Sequence, residues 1–220
     1  MKHVKFLLLF LAVVLASPAA TIFSENFDNA VPGYYSTRGI ITGTKFSLTA
    51  GTIDVNGTLN GSYYPELCVA PTSGNCIDTT GGTNPTRGTI TTTNAISFAP
   101  GSYVLSFDLE GWYDTGVTDA WATVQTSLVD ATTSANLFTP QSITVYGADN
   151  TYPVTDIYFQ VTTATTANLT FTDLGGKYTF AGGILDNVEI DSTDPAPEPA
   201  TALLFGVGAL ILLAKKRARQ

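Results

Sequence analysis

The sequence predicts an all-β protein: a jelly-roll-type antiparallel β-sandwich, flanked by an N-terminal signal-peptide helix and a C-terminal transmembrane helix. Three observations carry this. No segment between Thr21 and Asp194 keeps a helical period. Short alternating runs rich in Thr, Val, Phe and Tyr are broken there by Gly, Pro, Asn and Asp. Both ends of the 220-residue chain carry apolar runs beside lysine or arginine. The expected organisation is an export signal over residues 1–20, a β-sandwich ectodomain over 21–194 and a C-terminal signal over 195–220.

The elements follow in order. Lys2 and Lys5 precede an apolar run from Phe6 to Leu15, and Ala16-Ser17-Pro18-Ala19-Ala20 supplies small residues for cleavage between Ala16 and Thr21. Strands are expected near residues 21–27, 45–49, 52–55, 89–98, 103–110, 120–128, 142–146, 156–163, 167–172 and 184–190, with a turn at Ala99-Pro100-Gly101. Alternation puts Tyr103, Leu105, Phe107 and Leu109 on one face and Ser106, Asp108 and Glu110 on the other. Ile157, Phe159 and Val161, and likewise Leu169 and Phe171, complete the expected core. Many short antiparallel strands in about 174 residues fit a sandwich with a sizeable core.

The chain closes on Pro197-Glu198-Pro199, an apolar run from Ala200 to Ala214, then Lys215-Lys216-Arg217-Ala218-Arg219. Fifteen apolar residues span roughly 22 Å as a helix, against about 20 residues for a comfortable crossing. Gly206 and Gly208 soften the run, and the cations hold its end in the cytoplasm. The triplet, apolar run and basic stop resemble the PEP-CTERM sorting signal of Gram-negative bacteria, also called the ice-binding protein C-terminal domain. That resemblance implies processing near Pro197, Glu198 and Pro199 by an exosortase-type membrane peptidase, after export through the secretion translocon. It places the product at the cell surface or in the extracellular matrix.

Of 10 basic residues, 6 lie in the two terminal signals, leaving Arg38, Lys45, Arg87 and Lys177 against 17 acids. The ectodomain thus carries a charge near −13, hidden by the −8 of the whole chain. Such a domain repels nucleic acid and anionic membranes and attracts cations. His3, the one histidine, leaves with the export signal. Histidine-dependent triads and histidine-ligated metal sites are therefore excluded. Cys68 and Cys76 are expected to pair in an oxidising compartment.

Two carboxylates interrupt apolar faces. By strict alternation Asp186 lies with Ile184, Val188 and Ile190, and Glu25 with Phe23 and Phe27. A buried carboxylate costs several kcal/mol unless it is paired or metal-bound. Structural calcium between the first and last strands is one solution, and hydrogen bonds from backbone amides are the other. Phe23-Ser24-Glu25-Asn26-Phe27-Asp28 and Gly183-Ile184-Leu185-Asp186-Asn187-Val188 resemble the opening and closing strands of jelly-roll carbohydrate-binding modules. That resemblance implies calcium ligation by Asp186, with Asp28 at the acidic position after the opening phenylalanine; Glu25, the buried carboxylate of the first strand, is the third expected ligand. The runs Cys76 to Gly82 and Pro100 to Leu109 also resemble an ectodomain recurrent in PEP-CTERM proteins.

Trp121 shares a face with Thr123, Gln125 and Ser127, an unusual setting for tryptophan. Trp121 with Asp108, Glu110 and the loop pair Trp112-Tyr113 forms an expected sugar site; burial of both tryptophans under loops is the plain alternative. Thr91-Thr92-Thr93 and the run 162–166 form no repeated array. Paired acids leave a carboxylate-dependent glycosidase open, yet no nucleotide, P-loop or nucleophile-elbow motif occurs. The resulting expectation is a non-catalytic envelope protein associated with exopolysaccharide, the alternative being a carbohydrate-binding module for matrix glycan.

Overall fold

Alternating residues in a chain with almost no helix formers in register leave strands as the way to satisfy the backbone, and the described residues form fourteen of them. A computed structural model describes residues 20–57, 59, 67–68, 74–81, 86–112, 119–147 and 154–194. The strands are β1 (Thr21–Glu25), β2 (Gly33–Tyr35), β3 (Gly39–Ile40), β4 (Phe46–Ala50), β5 (Ile53–Gly57), β6 (Asn75–Asp78) and β7 (Thr89–Thr92). Then follow β8 (Ile96–Phe98), β9 (Gly101–Gly111), β10 (Trp121–Asp130), β11 (Gln141–Tyr146), β12 (Val154–Val161), β13 (Thr165–Gly176) and β14 (Gly183–Ser192).

They form two seven-stranded antiparallel sheets. The first runs β12-β9-β14-β6-β5-β2, with β1 also on β14; the second runs β11-β10-β13-β7-β4-β3, with β8 also on β13. The inward residues of both sheets make one core that includes Phe46, Leu105, Phe107, Leu109, Leu128, Leu169 and Phe171. Phe171 meets Phe107 edge-on at 5.1 Å and Phe46 at 6.1 Å. Tyr103 stacks on Phe159 at 5.5 Å, and its hydroxyl donates to the Ala99 carbonyl across the expected turn. The all-β sandwich is thus observed. The signal segments, with Pro197, Glu198 and Pro199, lie outside the described residues. Among the described residues no helix is long and apolar enough to cross a membrane.

Three differences from strict alternation matter. The expected run 89–98 divides into β7 and β8, which pair with successive stretches of β13. The first strand stops at Glu25, because Phe27 turns to φ 55° while the Glu25 carboxylate accepts its amide at 3.0 Å. The last strand carries a bulge between Asp186 and Glu189, with Asn187 at φ 48°. The extra residue flips the pleat. Leu185, Val188 and Ile190 enter the core, while Ile184 packs in a separate cluster with Leu67, Cys68 and Cys76. Asp186 therefore does not share the core face of Val188 and Ile190. Asparagine tolerates this left-handed backbone better than most residues, and its Nδ2 donates to Asp108 at 2.7 Å.

Cys68 and Cys76 form the expected disulfide. The bond fits an extracellular setting.

Candidate functional site

At one end of the sandwich the chain gathers aromatic side chains from four separate stretches. Trp121 opens β10 and stands opposite Tyr146, which closes β11. They are 38% and 53% exposed, high for such large rings. Gly111, just before Trp112, abuts the same spot: a Cβ there would lie 2.4 Å from the Gly147 nitrogen, so only glycine permits the approach. Trp112 meets Phe180 edge-on at 5.3 Å, and Phe180 stacks on Tyr178 at 5.4 Å. The amide of Lys177 donates to the Trp121 carbonyl at 3.0 Å, which closes the circuit.

Polar groups fix this end. Lys177 pairs with Asp119, and the Tyr178 hydroxyl donates to Asp119 at 2.9 Å. The hydrogen bond from Lys177, then that from Tyr178, lowers the Asp119 carboxyl, and the same pairing raises Lys177. Behind them Arg87 donates to the fully buried Asp173 at 3.3 Å and to the Tyr178 carbonyl at 3.4 Å. Asp173 also accepts from Thr79, Thr80 and the Gly175 amide.

From Trp121 and Tyr146 the outer face of the second sheet continues as hydroxyls and amides. Thr123 faces Thr144 at 2.8 Å, and the Gln125 amide donates to Ser142 at 3.3 Å. Further across, Thr91 bridges to Thr170 at 3.1 Å and to Thr49 at 3.3 Å. No carboxylate stands among these outward positions of β4, β7, β10, β11 and β13. Strand pairing, not tandem repetition, assembles these rows, so the linear sequence showed no array.

The expected sugar site divides. Trp112 and Trp121 reach the same end, and Tyr113 lies outside the described residues. Asp108 and Glu110 lie on β9 of the first sheet, buried on its outer face and on the other layer from Trp121. Tyr146, Tyr178 and Phe180 are the partners that sequence reasoning missed.

The expected calcium trio is not gathered. Among the described residues no group of three or more acidic, histidine or cysteine side chains is placed to hold a metal ion. Glu25 accepts the amides of Phe27 and Lys45 at 3.0 and 2.6 Å. Asp186 accepts the Asn187 amide at 2.7 Å, and Asp28 the Asn26 carboxamide at 2.8 Å. A cleft of about 560 Å³ opens beside Glu25, Asn26, Lys45, Asn187 and Glu189, and none of the end aromatics lines it.

No family model and no curated protein matches this chain. Among solved structures it is similar to the CBM22-1 xylan-binding domain of Paenibacillus barcinonensis Xyn10C, with 12% identity over 82% of this chain and 99% of that one, at a TM-score of 0.48. It is similar to a family 6 carbohydrate-binding module of Cellvibrio mixtus lichenase 5A, solved with cellotriose: 8% identity, 79% and 99% coverage, TM-score 0.43. The K3 cleaved adhesin domain of Porphyromonas gingivalis Lys-gingipain gives 18% identity, 79% and 100% coverage and a TM-score of 0.42. Scores this low carry nothing about ligand or role.

Proposed function

We propose that this protein is a non-catalytic, exported binding domain for a neutral polysaccharide, taken at the Trp121–Tyr146 end of the second sheet. The observation that supports it is the exposed cross-strand pair of Trp121 and Tyr146, opening onto an uncharged hydroxyl face in a domain otherwise dominated by acids. An aromatic face meets the C–H face of a sugar ring, while its polar edge stays wet. Threonine hydroxyls and Gln125 both donate and accept, as sugar hydroxyls do. The net negative charge repels acidic polymers, so a neutral chain fits best.

Carriage to the envelope by the PEP-CTERM-like tail belongs to the same reading, supported by the order of triplet, apolar run and basic stop. Intact mass of the protein from its host tests that part, since processing removes both ends.

A glycan array with the full chain tests the binding. Wild type is expected to retain neutral glycans, with affinity falling at least tenfold in Trp121→Ala and in Tyr146→Ala. Unchanged binding in both variants, or retention of anionic glycans alone, overturns the assignment. Release of reducing sugar from a retained glycan overturns the non-catalytic part.

A further inference from the structure

The disulfide and the aromatic end meet at Trp112. Leu67, Cys68, Cys76 and Ile184 form a small buried cluster apart from the main core, and the partly buried Trp112 packs against it. The same ring meets Phe180 edge-on at 5.3 Å, and Phe180, 43% exposed, stacks on Tyr178. Gly111, its chain neighbour, lies against the backbone of Tyr146, and Tyr146 faces Trp121. One tryptophan therefore links the sulfur cluster to the rings exposed at this end.

The two cysteines are held differently. Cys76 lies in β6, between β5 and β14 in the first sheet. Cys68 belongs to no strand. The bond to Cys76, at a sequence separation of 8, ties Cys68 and its neighbour Leu67 to the sheet. Ordering such a segment costs conformational entropy at every residue, and a cross-link offsets that cost by restricting the unfolded alternatives. Opening the bond withdraws this support from Leu67 and Cys68. They are two of the four buried side chains against which Trp112 packs. A gap beside a large ring forfeits its contacts, so Trp112 loses its fixed position and Phe180 loses its edge-on partner.

We infer that the Cys68–Cys76 disulfide gates glycan binding, an inference that rests on the glycan site at Trp121 and Tyr146. The domain takes its sugar well only with the two cysteines joined, and Trp112 is the positioning residue that carries the effect. Closing the bond removes two electrons and two protons from the two thiols. An oxidant of the disulfide class accepts them and leaves as two thiols, and a dithiol reductant reverses the exchange. Reducing compartments keep such thiols open, and oxidising ones let them close. Binding is thereby withheld before export and gained after it.

The test is a cycle of two changes on the full chain, reduction by a dithiol and Trp112→Ala. The probe is the neutral glycan that oxidised wild type retains best from a panel of soluble glucans, mannans and galactans. Reduction of wild type is expected to weaken affinity about fivefold or more, at a temperature where circular dichroism shows the strands intact. Trp112→Ala with the bond closed loses a similar factor, and reducing it then costs less than about twofold further. Trp112 emission, followed in Trp121→Phe because the chain has 2 tryptophans, shifts on reduction. Leu67→Ala keeps the bond but thins the same cluster, and serves where reduction melts the strands; its affinity should fall about threefold. Equal affinity in oxidised and reduced wild type overturns the gate and leaves the glycan site standing. So does unchanged Trp112 emission, or unchanged binding in Leu67→Ala. A full fivefold loss on reducing Trp112→Ala shows general softening of the sandwich instead, and also overturns it. Oxidised wild type that retains no neutral glycan overturns the glycan site itself, and the gate falls with it.

Discussion

Arg87→Ala removes the guanidinium that neutralises Asp173 and steadies the carbonyl of Tyr178. Asp173 is completely buried, while the Arg87 side chain is 31% exposed. Breaking a fully buried ion pair costs about 3–5 kcal/mol. Here the arginine is partly wet, and Asp173 keeps Thr79 at 3.0 Å, Thr80 at 2.7 Å and the Gly175 amide at 2.6 Å. Screening and these remaining donors reduce the expected loss to about 2 kcal/mol. For a domain of this size that is about 4–8 °C in melting temperature. A second effect is functional. Tyr178 and Phe180 sit on the stretch that Arg87 tethers, so neutral-glycan affinity should fall although Trp121 is untouched. Arg87→Lys restores the charge but reaches one partner at a time, so it should recover stability more than binding. Differential scanning calorimetry and the glycan assay on both variants measure the two effects. A melting shift below about 1 °C in Arg87→Ala, with unchanged binding, refutes both the buried-charge argument and the tether.

Two further outcomes are expected. Replacing Cys68 and Cys76 by serine opens a link across a sequence separation of 8 and removes about 2.5 kcal/mol in the chain-entropy model; reducing agent should lower the wild-type melting temperature and leave the serine variant alone. Asp130 is held at a pKa of about 2, first by the Thr165 hydroxyl and then by the Thr133 and Thr132 amides. Its folded value lies below the unfolded one, so its contribution is present above about pH 4 and is lost as pH falls through 2. Acid melts should therefore be shallower between pH 4 and pH 2 in Asp130→Asn, and an unchanged acid limb would count against the turn it anchors.

Strand positions were legible wherever one face is apolar and the other polar. β9 is the clearest case: Tyr103, Leu105, Phe107 and Leu109 are all in the core. The strands without that signature were not. β2 and β3 are two or three residues long and lie at sheet edges, where little is buried. β6 reads Asn-Cys-Ile-Asp and is buried on both faces, so it carries no contrast between an apolar and a polar side. The bulge at Asn187 was hidden for another reason. A pattern of period two carries no mark of an added residue unless the apolar set visibly changes phase. Ile184, Val188 and Ile190 kept phase by eye, because Ile184 fills a small cluster on the opposite side from the other two.

The aromatic end was half legible for a reason that reaches beyond this chain. A tryptophan on a polar face is conspicuous in one dimension, and Trp121 was. Its partners are set by pairing register: Tyr146 comes 25 positions later and meets Trp121 only because β10 and β11 align from Thr126 opposite Gln141 outward. The hydroxyl rows follow the same logic, since Thr91 and Thr170 belong to strands far apart in sequence. Asp108 and Glu110 failed the other way, because alternation reports which side of its own sheet a residue takes and not which sheet it belongs to. Acids and aromatics therefore separate. The carboxylates Asp54, Asp78, Asp108, Glu110 and Asp186 crowd the outer side of the first sheet, and the second presents a neutral surface. If the sugar takes the neutral side, Asp78→Asn should leave glycan retention intact once the domain is folded, whereas Trp121→Ala lowers it at least tenfold.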